Sequence, residues 1–214
     1  MILEHGTLKT ILFDLDGTLY NSAEVRDKFA EAAYHALAKL KNIPVDDARN
    51  LIEETREKLR AKHGFPVPYT LTLVRFGMPV ETWHKENISF FDPRDYLSAN
   101  GDLKEMLNGL KKRFRLAILS NNNEVQARRI LEALNLQDVF DRVFTYNSFR
   151  TMKPDPEFFK EAAKAMGVKP NECLVVGDRY SVDLIPAQDL GMKIYEVKGP
   201  EDIKKLITAL LSVA

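Results

Sequence analysis

Five short apolar runs punctuate this chain, and the clearest of them stop at polar or acidic residues. Thr10–Phe13 ends at Asp14, Leu116–Leu119 ends at Ser120, and Cys173–Val176 ends at Gly177-Asp178. Arg142–Thr145 is a weaker run, and Lys193–Val197 closes the series. A run that is apolar at consecutive positions has no polar face to offer water, so it suits a strand in a parallel sheet covered by helices on both sides. Helical patterns fall between the runs, over residues 102–113, 123–135, 155–167, 180–190 and 201–212. Strand alternating with helix predicts an α/β fold with a doubly wound parallel sheet.

The stretch after the first run breaks this rhythm. It reads as helices over 22–41 and 45–62, with one or two shorter ones between 66 and 90. Pro44 separates the first two, and Gly64, Pro66 and Pro68 punctuate the end of the second. An insert this long between two core elements should pack as a unit of its own. Pro93 marks the return. The expected division is therefore residues 1–19 with 96–214 as the core, and 20–95 as an inserted helical cap.

Composition excludes some partners. The 214 residues carry 31 Lys and Arg against 31 Asp and Glu, a balance that argues against a nucleic-acid polymer as ligand. The single cysteine, Cys173, has no intrachain disulfide partner and sits in an apolar run, where a buried small residue is expected. Such cysteine usage suits a reducing, cytoplasmic compartment. No apolar run approaches the roughly 18 to 20 residues of a membrane span. The start of the chain, with an acidic residue and His5 before the first apolar run, does not read as a signal peptide.

Ligands of a parallel sheet gather at the carboxyl ends of its strands. If the runs are parallel neighbours, Asp14 and Asp16, Ser120 and Asn121, and Gly177 and Asp178 meet along one edge. Two carboxylates two residues apart at the end of a buried strand are costly unless something neutralises them. Magnesium would, since it prefers oxygen ligands and keeps waters and phosphate in its shell. Asp178 adds a third carboxylate, and Lys153 in Met152-Lys153-Pro154-Asp155-Pro156 is a candidate second cation. A carboxylate can attack phosphorus to form an acyl phosphate. Asp16 is placed to give a proton to the leaving alkoxide and then take one from water. Ser120, Asn121 and backbone N–H groups after Asp14 can donate to phosphoryl oxygens, and Gly17 would let that backbone turn sharply.

Blander readings stand beside these. Alone, Asp14 and Asp16 read as turn or cap residues, and so do Asp178 and Asp183. The tract Ser120-Asn121-Asn122-Asn123 reads as a helix cap, which can also be an anion site. Lys153 alone is a solvated lysine. The histidines His5, His35, His63 and His84 lack metal-ligand spacing. Trp83 and Phe90-Phe91 suit cap packing better than a base-stacking platform.

The ordered set Asp14-x-Asp16-x-Thr18, Ser120-Asn121, Lys153-Pro154 and Gly177-Asp178-x-x-x-x-Asp183 resembles the haloacid dehalogenase (HAD) superfamily over residues 8–200. The resemblance implies a Rossmann-like core with a helical cap inserted just after the first motif. It implies Asp14 as nucleophile and metal ligand. Asp16 would be general acid and base, binding magnesium through its backbone carbonyl. Thr18 would support the loop and, with Ser120 and Asn121, serve the phosphate. Lys153 would steady the nucleophile and the phosphoryl oxygens, Asp178 would hold magnesium, and Asp183 would stand behind these. Dehalogenases of the superfamily generally lack the second acid and need no magnesium, so Asp16 and the acidic last motif favour a small phosphate monoester. A phosphomutase, a 2-haloacid dehalogenase and a non-catalytic phosphate-binding protein are the alternatives. Asp16-Gly17-Thr18-Leu19-Tyr20 with a helical cap is similar to the phosphoglycolate-phosphatase and pyrimidine 5′-nucleotidase branches. Arg179 departs from the small residue that many relatives carry there. It would contact an acidic substrate or pair with a nearby carboxylate, and the salt bridge is the favoured reading.

Overall fold

The computed structural model describes residues 8–212, so His5 lies outside the described residues. In chain order, β1 is Thr10–Phe13, and four helices follow: α1 Ala23–Lys41, α2 Val45–His63, α3 Tyr69–Arg75 and α4 Val80–Phe90. Next come α5 Gly101–Lys111, β2 Arg115–Leu119, α6 Glu124–Ala133, β3 Arg142–Phe144, α7 Tyr146–Phe149 and α8 Pro156–Ala165. The chain ends with β4 Cys173–Gly177, a π-helical turn Tyr180–Leu184, α9 Ile185–Asp189, β5 Lys193–Glu196 and α10 Pro200–Ser212. It divides into two compact units. One takes the chain up to Asn21 and from Leu97 onward, and the other is Ser22–Tyr96.

The first unit is a five-stranded sheet in the order β3-β2-β1-β4-β5, with every neighbouring pair parallel. All residues of β1 and β4 are buried, which explains why their sequences show no polar alternation. On one face Leu12, Ala117 and Val175 pack with Phe158, Phe159 and Ala162 of α8. The strand order runs outward from β1 to β3 and then restarts on the other side at β4. A crevice opens at such a reversal, outside the carboxyl ends of β1 and β4.

Local chemistry sets the helix starts. Asn123 caps α6, its side-chain oxygen accepting from the Gln126 N–H at 2.9 Å. Asp155 caps α8, with Pro156 in the first turn where a missing N–H costs nothing. One expected element differs. Residues 180–190 are not a single α-helix, because Pro186 has no N–H to give the carbonyl of Val182. The ladder slips there, and the Ile185 N–H reaches back five residues to the Tyr180 carbonyl, making the π-helical turn that precedes α9.

The second unit is the helical one. Its core joins Ala32, Ala33, Ala36 and Leu37 of α1 to Ile52 of α2, Leu73 of α3 and Trp83 of α4. Trp83 is buried, and its indole N–H donates to Thr70 Oγ1 at 3.0 Å, so it belongs to the core of this unit. The Ser22 hydroxyl caps α1 by accepting from the Val25 N–H, and α1 stops at Asn42 in the left-handed region. Among the described residues no helix is long and apolar enough to cross a membrane.

Candidate active site

The site grows from the ends of β1 and β4. The Asp14 N–H donates to the Val176 carbonyl at 2.8 Å, extending the pairing of the two strands and fixing Asp14 at the crevice. The chain then turns tightly, the Leu19 N–H reaching the Leu15 carbonyl at 3.0 Å and the Gly17 N–H reaching the Tyr20 carbonyl at 2.9 Å. Gly17 has φ +84, and a Cβ there would overlap the Asp178 carboxylate. Glycine is therefore required twice over, by backbone conformation and by the close approach of the next strand's acid.

Lys153 is the largest surprise in energetic terms. It is 0% exposed, an expensive place for an ammonium without partners. It has two: Nζ donates to Asp14 Oδ1 at 2.5 Å and to Asp183 Oδ1 at 2.6 Å. Burial pulls the lysine pKa down, but the two carboxylates outweigh it and hold Lys153 above its usual range. Burial likewise pushes Asp183 up, and Lys153 and Arg179 overcome it, leaving Asp183 below the usual carboxylate range. The other Asp183 oxygen accepts the Arg179 N–H at 3.0 Å, so both of its oxygens are committed to protein donors.

Two of the expected phosphate contacts are engaged elsewhere. Thr18 is fully buried and its hydroxyl donates to Asp14 Oδ2 at 3.2 Å, so its side chain holds Asp14. Asn121 spans the backbone of Lys153: its Nδ2 donates to the Lys153 carbonyl at 2.8 Å and its Oδ1 accepts the Lys153 N–H at 2.9 Å. That side chain anchors the lysine's segment. Ser120 is buried, and its Oγ accepts the Asn122 N–H at 3.1 Å.

Two residues that sequence reasoning missed close the arrangement around Asp16. The Tyr20 hydroxyl donates to Asp16 Oδ1, and Asn122 Nδ2 donates to Asp16 Oδ2 at 2.8 Å. The one available signal was length, since a run of three asparagines exceeds what a single helix cap needs. Burial first, and then the charge of Asp14, push the Asp16 pKa up to about 6. The same two causes, in the same order, push Asp178 up to about 7.

Asp178 stands at the end of β4, and its Oδ1 is buried with no hydrogen-bond donor. Arg179 makes the expected ion pairs, loosely: Nε is 3.8 Å from Asp178 Oδ1 and 3.5 Å from Asp183 Oδ2. Asp14, Asp178 and Asp183 each offer a carboxylate oxygen, all within 4.8 Å of one another. An oxygen-only donor set with one orphaned carboxylate oxygen and an excess of negative charge fits a hard divalent cation. Asp178 has an oxygen without a donor for it, and Asp14 has one held only by the longer 3.2 Å contact from Thr18, whereas both Asp183 oxygens are committed at 2.6 and 3.0 Å.

Fold and site together define an α/β protein with a cation-demanding acidic cluster at the switch point of a parallel sheet. A family model described as haloacid dehalogenase-like hydrolase matches residues 8–191. The chain belongs to that family. Among its relatives, glyceraldehyde 3-phosphate phosphatase of Methanocaldococcus jannaschii is 31% identical, the match covering 86% of this chain and 82% of the relative. Phosphoglycolate phosphatase of Nitrosospira multiformis is 30% identical over 88% of this chain and 82% of the relative. The crystal structure of a HAD phosphatase from Thermococcus onnurineus shares the fold, with TM-score 0.62 and 23% identity, covering 94% of this chain and 99% of that one.

Proposed function

We propose that this protein is a magnesium-dependent phosphoric monoester hydrolase that works through a phosphorylated Asp14. The observation that carries the reading is the buried pairing of Lys153 with Asp14, at the mouth of a crevice where Asp16 keeps a raised pKa. Asp14, Asp178 and the backbone carbonyl of Asp16 would hold magnesium, which supplies positive charge against the phosphate dianion and the growing charge of the transition state.

Asp14 contributes an oxygen lone pair to phosphorus as the bond from phosphorus to the ester oxygen breaks. Lys153 keeps the other Asp14 oxygen in place and offers charge to the phosphoryl group. Protonated Asp16 gives its proton to the departing alkoxide. Burial and then the charge of Asp14 raise the Asp16 pKa, to about 6 without metal, in the direction a proton donor needs. Asp16 then takes a proton from the water that attacks the acyl phosphate, releasing inorganic phosphate and restoring Asp14. The Ser120 hydroxyl donates to a phosphoryl oxygen, and Asn121 contributes by fixing the Lys153 backbone.

The substrate class is a small phosphorylated carbon compound. Support comes from relatives that share about three residues in ten over most of their length and are named for glyceraldehyde 3-phosphate and phosphoglycolate. In this reading residues 22–96 act as the substrate-selecting cap, and a free, buried cysteine is in keeping with a cytoplasmic location. Asp16, which a halide leaving group would not need, favours phosphate esters over haloacids.

The test is phosphate release from a panel of small phosphomonoesters with magnesium, comparing the native chain with Asp14→Asn. We expect release by the native chain and a loss of at least about a thousandfold in the variant, the scale of removing a nucleophile. Equal release by both, or none from any ester by the native chain, would sink the proposal.

A further inference from the structure

We propose that Arg179 is the resident counter-cation of the acidic cluster when no metal is bound, and that it sets how tightly the cluster takes magnesium. The inference rests on the magnesium reading above.

Among the described residues that converge here, four carboxylates, Asp14, Asp16, Asp178 and Asp183, face two cations, Lys153 and Arg179. The shortfall is two positive charges, the charge of one magnesium ion. The two cations are used differently. Lys153 is locked by two short ion pairs and fully buried. Arg179 is held at arm's length. Its Nε is buried without a hydrogen-bond acceptor, and 3.8 Å away the Asp178 Oδ1 is buried without a donor. Two groups of opposite charge thus face each other without bonding.

The backbone of Arg179 is pinned by hydrogen bonds, whereas its side-chain Nε is held by ion pairs alone. The Arg179 N–H donates to Asp183, and the Arg179 carbonyl accepts from the Val182 and Asp183 N–H groups at 3.0 and 2.8 Å. The side chain is one-third exposed, which gives the guanidinium a route to solvent. A cation arriving at Asp178 therefore either repels the guanidinium where it stands or sends it outward. Both outcomes oppose metal binding, and both disappear if the charge at position 179 is removed. Removing it also leaves the metal-free cluster with a larger excess of negative charge.

The experiment is calorimetric titration of magnesium chloride into EDTA-treated native protein, Arg179→Gln and Arg179→Lys, with thermal melts of each without metal. Arg179→Gln should bind magnesium about tenfold more tightly, the scale of one nearby charge partly screened by solvent. Without metal it should melt below the native chain, and saturating magnesium should close that gap. Arg179→Lys, which keeps the charge, should stay within about twofold of the native affinity. Magnesium binding by the native chain with equal or weaker affinity in Arg179→Gln overturns this inference alone. No magnesium heat in the native chain overturns the metal reading and this inference with it. A measurement on the native chain guards against a variant that fails to fold. The NMR signal of the Arg179 Nε–H, assigned by its loss in Arg179→Lys, should shift with magnesium along the calorimetric curve, and a signal indifferent to magnesium overturns the proposal.

Discussion

At the scale of single residues, the asparagine run shows how neighbours in sequence part company in space. Asn121 holds the backbone of Lys153, Asn122 holds the Asp16 carboxylate, and Asn123 caps α6. The first of these makes a kinetic prediction. If Asn121 anchors Lys153 and does not itself grip phosphate, Asn121→Ala should lower kcat by about tenfold or more while KM moves less than about threefold. Steady-state kinetics on an aryl phosphate with saturating magnesium would decide it, and a rise in KM at unchanged kcat would point instead to a direct phosphate contact. The cap was legible as a property of the tract, but which asparagine takes which task was not. The partners of Asn121 and Asn122 lie 32 and 106 positions away, and nothing in a run of identical amides says which one faces which strand end. Asp14, Asp16 and Asp178 were legible because they follow apolar runs directly, whereas Lys153, which alone reads as a solvated lysine, was legible only through its place in the ordered motif set. The bonds that Thr18 and Asn121 make to Asp14 and to the Lys153 backbone were not legible, because the sequence shows only that these polar groups lie near the edge and not which way they face.

At the scale of elements, the strands and helices were readable for a simple reason. A strand buried on both faces is apolar throughout, and Thr10–Phe13 and Cys173–Gly177 are buried at every position. Their order in the sheet was not readable, since register and neighbour depend on contacts that no single run encodes. The π-helical turn was missed because periodicity carries no record of a hydrogen bond that Pro186 cannot make. Caps, in contrast, act locally and can be tested locally. Asn123→Ala removes the acceptor for the Gln126 N–H and should cost about 1 kcal/mol of stability. Denaturant unfolding would measure it, and a change within error of zero would show that another group takes over the cap.

At the scale of the whole molecule, the acidic cluster should write itself into stability. Asp16 and Asp178 are raised from 3.8 to about 6 and about 7, so in the metal-free protein the folded state holds more protons than the unfolded chain between those limits. Stability falls with rising pH wherever that is so. Asp183 lies below its usual range and Lys153 above its own, so neither titrates in this window and neither offsets the slope. Melts in EDTA should therefore show a higher Tm at about pH 5 than at about pH 7.5, with magnesium raising Tm more at the higher pH. A metal-free Tm that rises over that interval would contradict the buried, unneutralised state of these two acids.

The place of β1 in the sheet has a consequence for how this chain is made. β1 is made before the strands on either side of it, which begin only at Arg115 and Cys173. The helical unit closes on contacts drawn from residues 22–96 alone, so it can assemble while the rest is still being synthesised. The strand that carries Asp14 must wait with its apolar side chains unpaired, and Asp178 arrives nearly last. A nascent chain stalled before β4 has the helical unit but lacks Asp178 and Asp183, so catalytic competence appears late and all at once, when the fourth strand slots in beside the first.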